Sequence, residues 1–336
     1  MKTYIIAEAG VNHNGNLDLA IKLIDKAKEA GADCIKFQTF KTESLILKTA
    51  PKADYQLKTT DAEESQFNML KKLELSYENF SYLNQYCKKI KIDFMSTPYS
   101  FEDIDFLNNL GVNSFKIASG QLTEIPFLKY VAKTNKKIIL STGMSDLSQI
   151  YDATEVIKAN SNGKLIVLQC TTNYPSNIED SNLNCMRTIR EACEVEVGYS
   201  DHVIGNHACF AAVALGATVI EKHFTLDKSM PGPDHSCSSN PEELKDLIYG
   251  IREIEKSLGS KSKKPTKIEI INAKGMKRSL VTKVNIKKGE KITEEHITFK
   301  RPSGGLDVNY YDLILNKTTK TDILKDTQLN FDMIKW

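Results

Sequence analysis

Eight short β-branched or apolar runs alternate with helix-like stretches over the first two thirds of the chain, and no other feature narrows the possible folds as much. The runs are "YIIAEA" (4–9), "CIKFQT" (34–39), "DFMSTP" (93–98), "SFKIAS" (114–119), "KIILSTG" (137–143), "LIVLQCT" (165–171), "VEVGYS" (195–200) and "TVIEKHF" (218–224). Between them, "NLDLAIKLIDKAKEAG" (16–31) sets Leu17, Ala20, Leu23, Ile24 and Ala27 on one helical face. "PEELKDLIYGIREIEKSLG" (241–259) opens on Pro241 and closes on Gly259, the expected start and stop of a helix. Eight strands alternating with helices over about 250 residues is the pattern of a closed (β/α)8 TIM barrel. A doubly wound open sheet shares the alternation, but no glycine-rich phosphate loop follows the first run. The expected class is α/β, with a TIM-barrel catalytic domain over residues 1–258.

The stretch 259–274, "GSKSKKPTKIEIINAK", is basic and polar and reads as a linker. Residues 275–336 change texture, with short strand-like pieces and no long helix, and form a small β-rich domain. So small a module buries too little surface to be robust alone, and is expected to dock on the barrel or on a neighbouring subunit. A net charge of +2 over 336 residues argues against a nucleic-acid binder. No run approaches the roughly 18 apolar residues of a membrane span, and the acidic start does not resemble a secretion signal. Seven scattered cysteines without a CxxC pair suit a reduced, cytoplasmic setting.

In a barrel the carboxyl ends of the strands carry the chemistry. Here those ends are polar in every strand: Glu8, then Lys36 with Gln38, then Ser96 and Thr97. Lys116, Ser119 and Gln121 follow, then Ser141, then Thr172 and Tyr174, then Ser200, Asp201 and His202. Last come Glu221 and His223, with Asp234 and His235 beyond them. Lys36 and Lys116 lie inside apolar strands, where an unpaired ammonium is costly. Each would interact with an anion at about 4 Å by on the order of 4 kcal/mol before desolvation. With Ser119, Ser141 and Ser200 they can surround a compact polyanion bearing phosphate and carboxylate. Pairing with an internal Glu8 or Glu221 is the other account of a single buried lysine. His202 and His223, from adjacent strands, can form an open divalent-metal site or a hydrogen-bonded core pair. His13 and His207 read as loop or helix-cap residues.

"IAEAGVNHNGNLDLAIKLIDKAKEAGADCIKFQTF", "STP", "FKIASG", "ILSTGM", "CTTNYP", "GYSDH", "ALGATVIEKHFTLD" and "GPDH", in this order, resemble the bacterial sialic acid synthases, which make N-acetylneuraminate, legionaminate and pseudaminate. The tail "LVTKVNIKKGEKITEEHITFKRPSGG" is similar to that family's antifreeze-like (SAF, β-clip) domain. The resemblance implies a transferase condensing phosphoenolpyruvate with an N-acetylated mannosamine-type sugar and releasing phosphate. It implies that Lys36, Lys116, Ser119, Ser141, Thr172 and Ser200 hold substrate, and that His202 and His223 bind Mn2+ or Mg2+. Asp234 contacts the sugar, and Glu8, Glu221, Gln121 and Tyr174 are the expected catalytic residues. The resemblance also implies a domain-swapped homodimer in which Arg301 reaches the sugar's N-acetyl group of the other subunit.

The chain departs from the family's usual residues in places. Gln121 stands where most members have an acid, Gln169 replaces a histidine, and "RPSGG" replaces "RPGNG". If the missing acid is needed, Glu124 or another group must replace it; otherwise the role of the position is to orient the sugar. The stretch 55–66, "YQLKTT…ESQ", occurs in both the neuraminate and the legionaminate branch. N-acetylmannosamine is the sugar expected first and 2,4-diacetamido-2,4,6-trideoxymannose second. A metal-dependent barrel hydrolase would bring two histidines on the first strand, where "VNHNG" has one. A non-catalytic sugar-binding protein leaves the strand lysines without a purpose.

Overall fold

The computed structural model describes residues 2–52, 56–57, 60–61 and 63–336; Tyr55, Lys58, Thr59 and Ala62 of the stretch 55–66 lie outside the described residues. The chain divides into two units, Met1–Gly259 and Ser260–Trp336.

In the first unit the strands are β1 (Tyr4–Gly10), β2 (Cys34–Thr39), β3 (Asp93–Pro98), β4 (Ser114–Ile117), β5 (Lys137–Ser141), β6 (Leu165–Cys170), β7 (Glu196–Asp201) and β8 (Val219–His223). Each begins and ends within two residues of an expected run. They pair in parallel in the order β3-β2-β1-β8-β7-β6-β5-β4, and the end members β3 and β4 pack together, giving a nearly closed barrel. The connecting helices form where the apolar spacing is helical. Over Leu17–Ala30 the Asn16 side chain caps the start by accepting from the Leu19 amide, and Gly31, at φ 93°, ends the helix. Its buried face is Ala20, Leu23, Ile24 and Ala27, against the outer side of the strands.

Alternation along the strands stacks the interior in layers. Ile6, Cys34, Met95, Ile139, Leu168 and Val219 form an apolar layer inside the barrel. Two residues further along their strands stand Glu8, Lys36, Thr97, Ser141, Cys170 and Glu221, so the interior turns polar in one step. Gly198 lets β7 fit into this stack. A Cβ there would come 2.4 Å from the Val219 carbonyl oxygen and 2.6 Å from Leu168.

The second unit has two small antiparallel ladders, β9 (Ser279–Thr282) with β10 (Ile297–Lys300) and β11 (Thr318–Thr319) with β12 (Ile334–Lys335). Its core is aliphatic, including Leu280, Ile286, Ile292, Ile314, Leu329 and Ile334. The stretch expected to be a linker carries a helix, Lys267–Met276, none of whose residues is buried. Thr266 and Glu269 cap it reciprocally, a capping box readable in "TKIE". Among the described residues no helix is long and apolar enough to cross a membrane.

Candidate active site

The carboxyl ends of the strands enclose a cavity of about 180 Å³. Its floor is a chain of alternating charges. Lys36 lies 2.7 Å from Glu8 and 3.7 Å from Glu221, and donates to the Thr97 hydroxyl at 3.3 Å. Lys116 lies 3.2 Å from the other oxygen of Glu221, which also accepts from the Ser200 hydroxyl at 2.8 Å. Both lysines therefore pair with internal glutamates and line the cavity at the same time. An ammonium has three donors, so pairing leaves capacity for an entering anion.

Burial alone would push the Glu221 carboxyl up. Lys116 and Lys36, helped by the Ser200 hydroxyl, outweigh that and hold it at about 2. Glu8 goes the other way: burial raises it, with Glu221 adding to the rise and Lys36 only partly opposing it. Its Oε1 accepts from Gln38 at 3.2 Å, while Oε2 is buried without a hydrogen-bond partner. Burial works against the charge on Lys36, but Glu221 and Glu8 keep its pKa above the ordinary value. The hydroxyls of Ser141 and Thr172 are also buried and unpartnered. Gly143 lets these walls close in, since a Cβ there would meet the Thr172 hydroxyl at 2.1 Å and that of Ser119 at 2.9 Å.

At one side the rings of His202 and His223 lie 5.3 Å apart, with Tyr174 4.1 Å from the first and 5.5 Å from the second. His202 Nδ1 is 2.6 Å from the Thr171 carbonyl oxygen. That contact makes Nδ1 the donor, so that in the neutral ring Nε2 carries the lone pair, the arrangement by which proteins orient metal-binding imidazoles. Burial, then the neighbouring His202 and Lys36, hold His223 well below its ordinary pKa, so it is neutral. Its Nδ1 has no hydrogen-bond partner and lies 3.9 Å from Asp234, whose carboxyl burial raises to about 6. Among the described residues no three His, Cys, Asp or Glu side chains converge as a ligand set. The donors fit a cation held by two imidazoles, with its other positions left to water or substrate.

Of the expected site residues, Lys36, Lys116, Ser119, Ser141, Thr172 and Ser200 line this cavity, as do Glu8, Tyr174, His202, Glu221, His223 and Asp234. Two do not. Gln121 is buried beneath the cavity, where its amide donates to the Pro98 carbonyl at 3.0 Å and accepts from the Ala118 amide at 3.3 Å. Both ends of its side-chain amide are bonded to backbone. Arg301 is exposed just past β10, in the second unit. Glu124 lines a separate groove with Tyr99 and Phe127, and Gln169 donates to the Ser181 carbonyl at 3.2 Å. His13 accepts from the Gly15 amide within its loop, and His207 begins the helix His207–Ala214.

Sequence reasoning missed Tyr99 and Cys170, which also line the cavity. Tyr99 looks like a core aromatic, and a cysteine among apolar residues carries no positional signal. Lys222 was visible as a charge in β8 but given no role. Alternation would have found its direction, because Glu221 and His223 face inward and the residue between them must face outward.

A model of the NeuB family matches residues 23–263, and a model of the SAF domain matches residues 277–335. The chain is 49% identical over 327 residues to the N,N'-diacetyllegionaminic acid synthase of Campylobacter jejuni, covering 97% of this chain and 98% of that one. It is 42% identical over 339 residues to the protein of the same name from Legionella pneumophila, covering 100% and 95%. Among solved structures it resembles the N-acetylneuraminic acid (sialic acid) synthetase of Leptospira borgpetersenii in complex with citrate. That match has a TM-score of 0.71 and 34% identity, over 81% of this chain and 90% of that one.

Proposed function

The chain belongs to the NeuB family of sialic, legionaminic and pseudaminic acid synthases, and from that premise we propose that it condenses phosphoenolpyruvate with 2,4-diacetamido-2,4,6-trideoxymannose, giving N,N'-diacetyllegionaminate and phosphate. It is an enzyme, and its C-terminal unit carries a SAF domain. The observation that carries the reaction is the meeting of two strand lysines and two imidazoles around one cavity. The choice of sugar is supported by the names of the relatives at 49% and 42% identity. N-acetylmannosamine, expected first from the sequence, becomes the second reading, favoured by the likeness to the Leptospira synthetase. Assembly as a homodimer is part of the same reading.

Lys36 and Lys116, with the unpartnered Ser141 hydroxyl and that of Ser119, hold the phosphate and carboxylate of phosphoenolpyruvate on the cavity floor. The sugar lies above, against Tyr174 and Asp234 on the loops beyond the strands. His202 and His223 would hold Mn2+ or Mg2+, which when bound supplies Lewis-acid polarisation of the sugar aldehyde. The enol carbon attacks the aldehyde carbon, forming the new C–C bond and leaving an electron-poor carbon that water captures. Collapse of that hemiketal phosphate breaks its C–O bond and expels phosphate, whose charge the two lysines stabilise. Glu8 Oε2, buried beside them without a partner, is the atom assigned to hold the proton that the former aldehyde oxygen takes up.

The test is phosphate release from phosphoenolpyruvate with Mn2+ and each sugar in turn. Release should be faster with the diacetamido sugar. Faster release with N-acetylmannosamine would reverse the choice of sugar, and none with either would remove the reaction.

A further inference from the structure

Lys222 lies between two cavity residues of β8 and points the other way, yet it is 2% exposed. Its partner in the β7–β8 register is Asp201, and the two side chains meet at 2.6 Å. The remaining donors of Lys222 go to the carbonyl oxygens of Val203 and Gly205, the second at 2.8 Å. Asp201 accepts from the Val203 amide and the Tyr199 hydroxyl, each at 3.0 Å, and from the Cys209 thiol at 3.1 Å. All of these groups are satisfied, and apart from the thiol every bond ends on β7 or on the turn after it.

Stability alone does not explain such a pair. Removing two charges from water is costly, and well-packed apolar residues in their place are often neutral or better. The neighbouring helix His207–Ala214 already buries Ala208, Ala212 and Val213. What the pair does that apolar residues would not is tie the two strands together immediately before each cavity imidazole. Asp201 precedes His202, and Lys222 precedes His223. The turn that Lys222 grips begins one residue beyond His202.

We infer that Lys222 and Asp201 form a positioning clamp that sets the spacing of His202 and His223 for a shared divalent cation, an inference that rests on the metal reading proposed above. The His202 ring is fixed on its far side by the Thr171 carbonyl, so the clamp supplies the second constraint, on the backbone that carries it. A network whose members are all satisfied is suited to holding one geometry.

The test uses the full chain, with Mn2+ uptake followed by the electron paramagnetic resonance signal of the free ion and phosphoenolpyruvate binding followed by calorimetry. The double variant Asp201→Asn/Lys222→Met removes both charges while leaving an acceptor for Val203 and Tyr199. It should fold and bind phosphoenolpyruvate within about twofold of the parent, while Mn2+ affinity falls by about tenfold or more. Unchanged Mn2+ affinity overturns the clamp. An equal loss of both ligands in a folded variant also overturns it, because the pair would then be a general prop of the barrel mouth. Should the double variant not fold, Lys222→Arg decides. The charge stays, but a planar fork cannot reach the Asp201 carboxylate and both carbonyls in the same way. The same loss of Mn2+ affinity is expected, and its absence overturns the inference. A parent that takes up no Mn2+ overturns the metal reading itself, and the clamp with it.

Discussion

His13 and His235 are buried imidazoles held neutral in the folded chain. Burial, reinforced by the nearby His235, brings His13 down to about 3. Burial brings His235 to about 4 despite the pull of Asp227. Because the folded values lie below the unfolded one near 6.5, the unfolded chain binds more protons in between. The stability these residues contribute is complete above pH 6.5 and declines as the pH falls toward 4, by about 1.4 kcal/mol per pH unit for each imidazole. His13→Asn keeps an acceptor for the Gly15 amide and cannot titrate. Its unfolding free energy, from denaturant titrations at a series of pH values, should fall less steeply over that range by the share of one imidazole. The place of His13 in a loop was readable from "VNHNG", but its burial was not. That depends on Asn12, whose amide donates to the Phe224 carbonyl and the Ser238 hydroxyl from more than 200 positions away in sequence. Lys36 and Lys116 were legible because a charge in an apolar run stands out. The direction of Gln121 was not legible, because a polar residue at a strand end can turn either to a ligand or to backbone; in the short helical turn Ser119–Gln121 its amide bonds to backbone.

The elements were legible for a plain reason: parallel strands buried on both faces read as continuous apolar runs, and the helices between them keep their spacing. The helix Lys267–Met276 was missed because its apolar residues do not gather into one buried stripe, and its start is marked only by the cap at Thr266. Strand packing depends on one residue that composition cannot single out. Gly198 sits where β7 approaches Val219 and Leu168 too closely for any side chain. Gly198→Ala should destabilise the barrel by about 1–3 kcal/mol, because the nearest obstacle is a backbone carbonyl that cannot move aside cheaply. Thermal unfolding measures the loss; a midpoint equal to that of the parent would mean that β7 shifts freely at this position.

For the whole molecule, the boundary before Ser260 falls where the sequence turns basic and polar at 259, whereas the change of texture at 275 lies inside the second unit. The layered interior of the barrel has a kinetic consequence. Beneath the charged floor lies the seal of Ile6, Cys34, Met95, Ile139, Leu168 and Val219, so the vessel opens at one end only. The deepest guest must arrive first and depart last. With Lys36 and Lys116 at the bottom and Tyr174 and Asp234 at the rim, initial velocities should follow a compulsory order, phosphoenolpyruvate before sugar. A nonreactive sugar alcohol should then inhibit uncompetitively against phosphoenolpyruvate, and a competitive pattern would mean that the vessel has a second door.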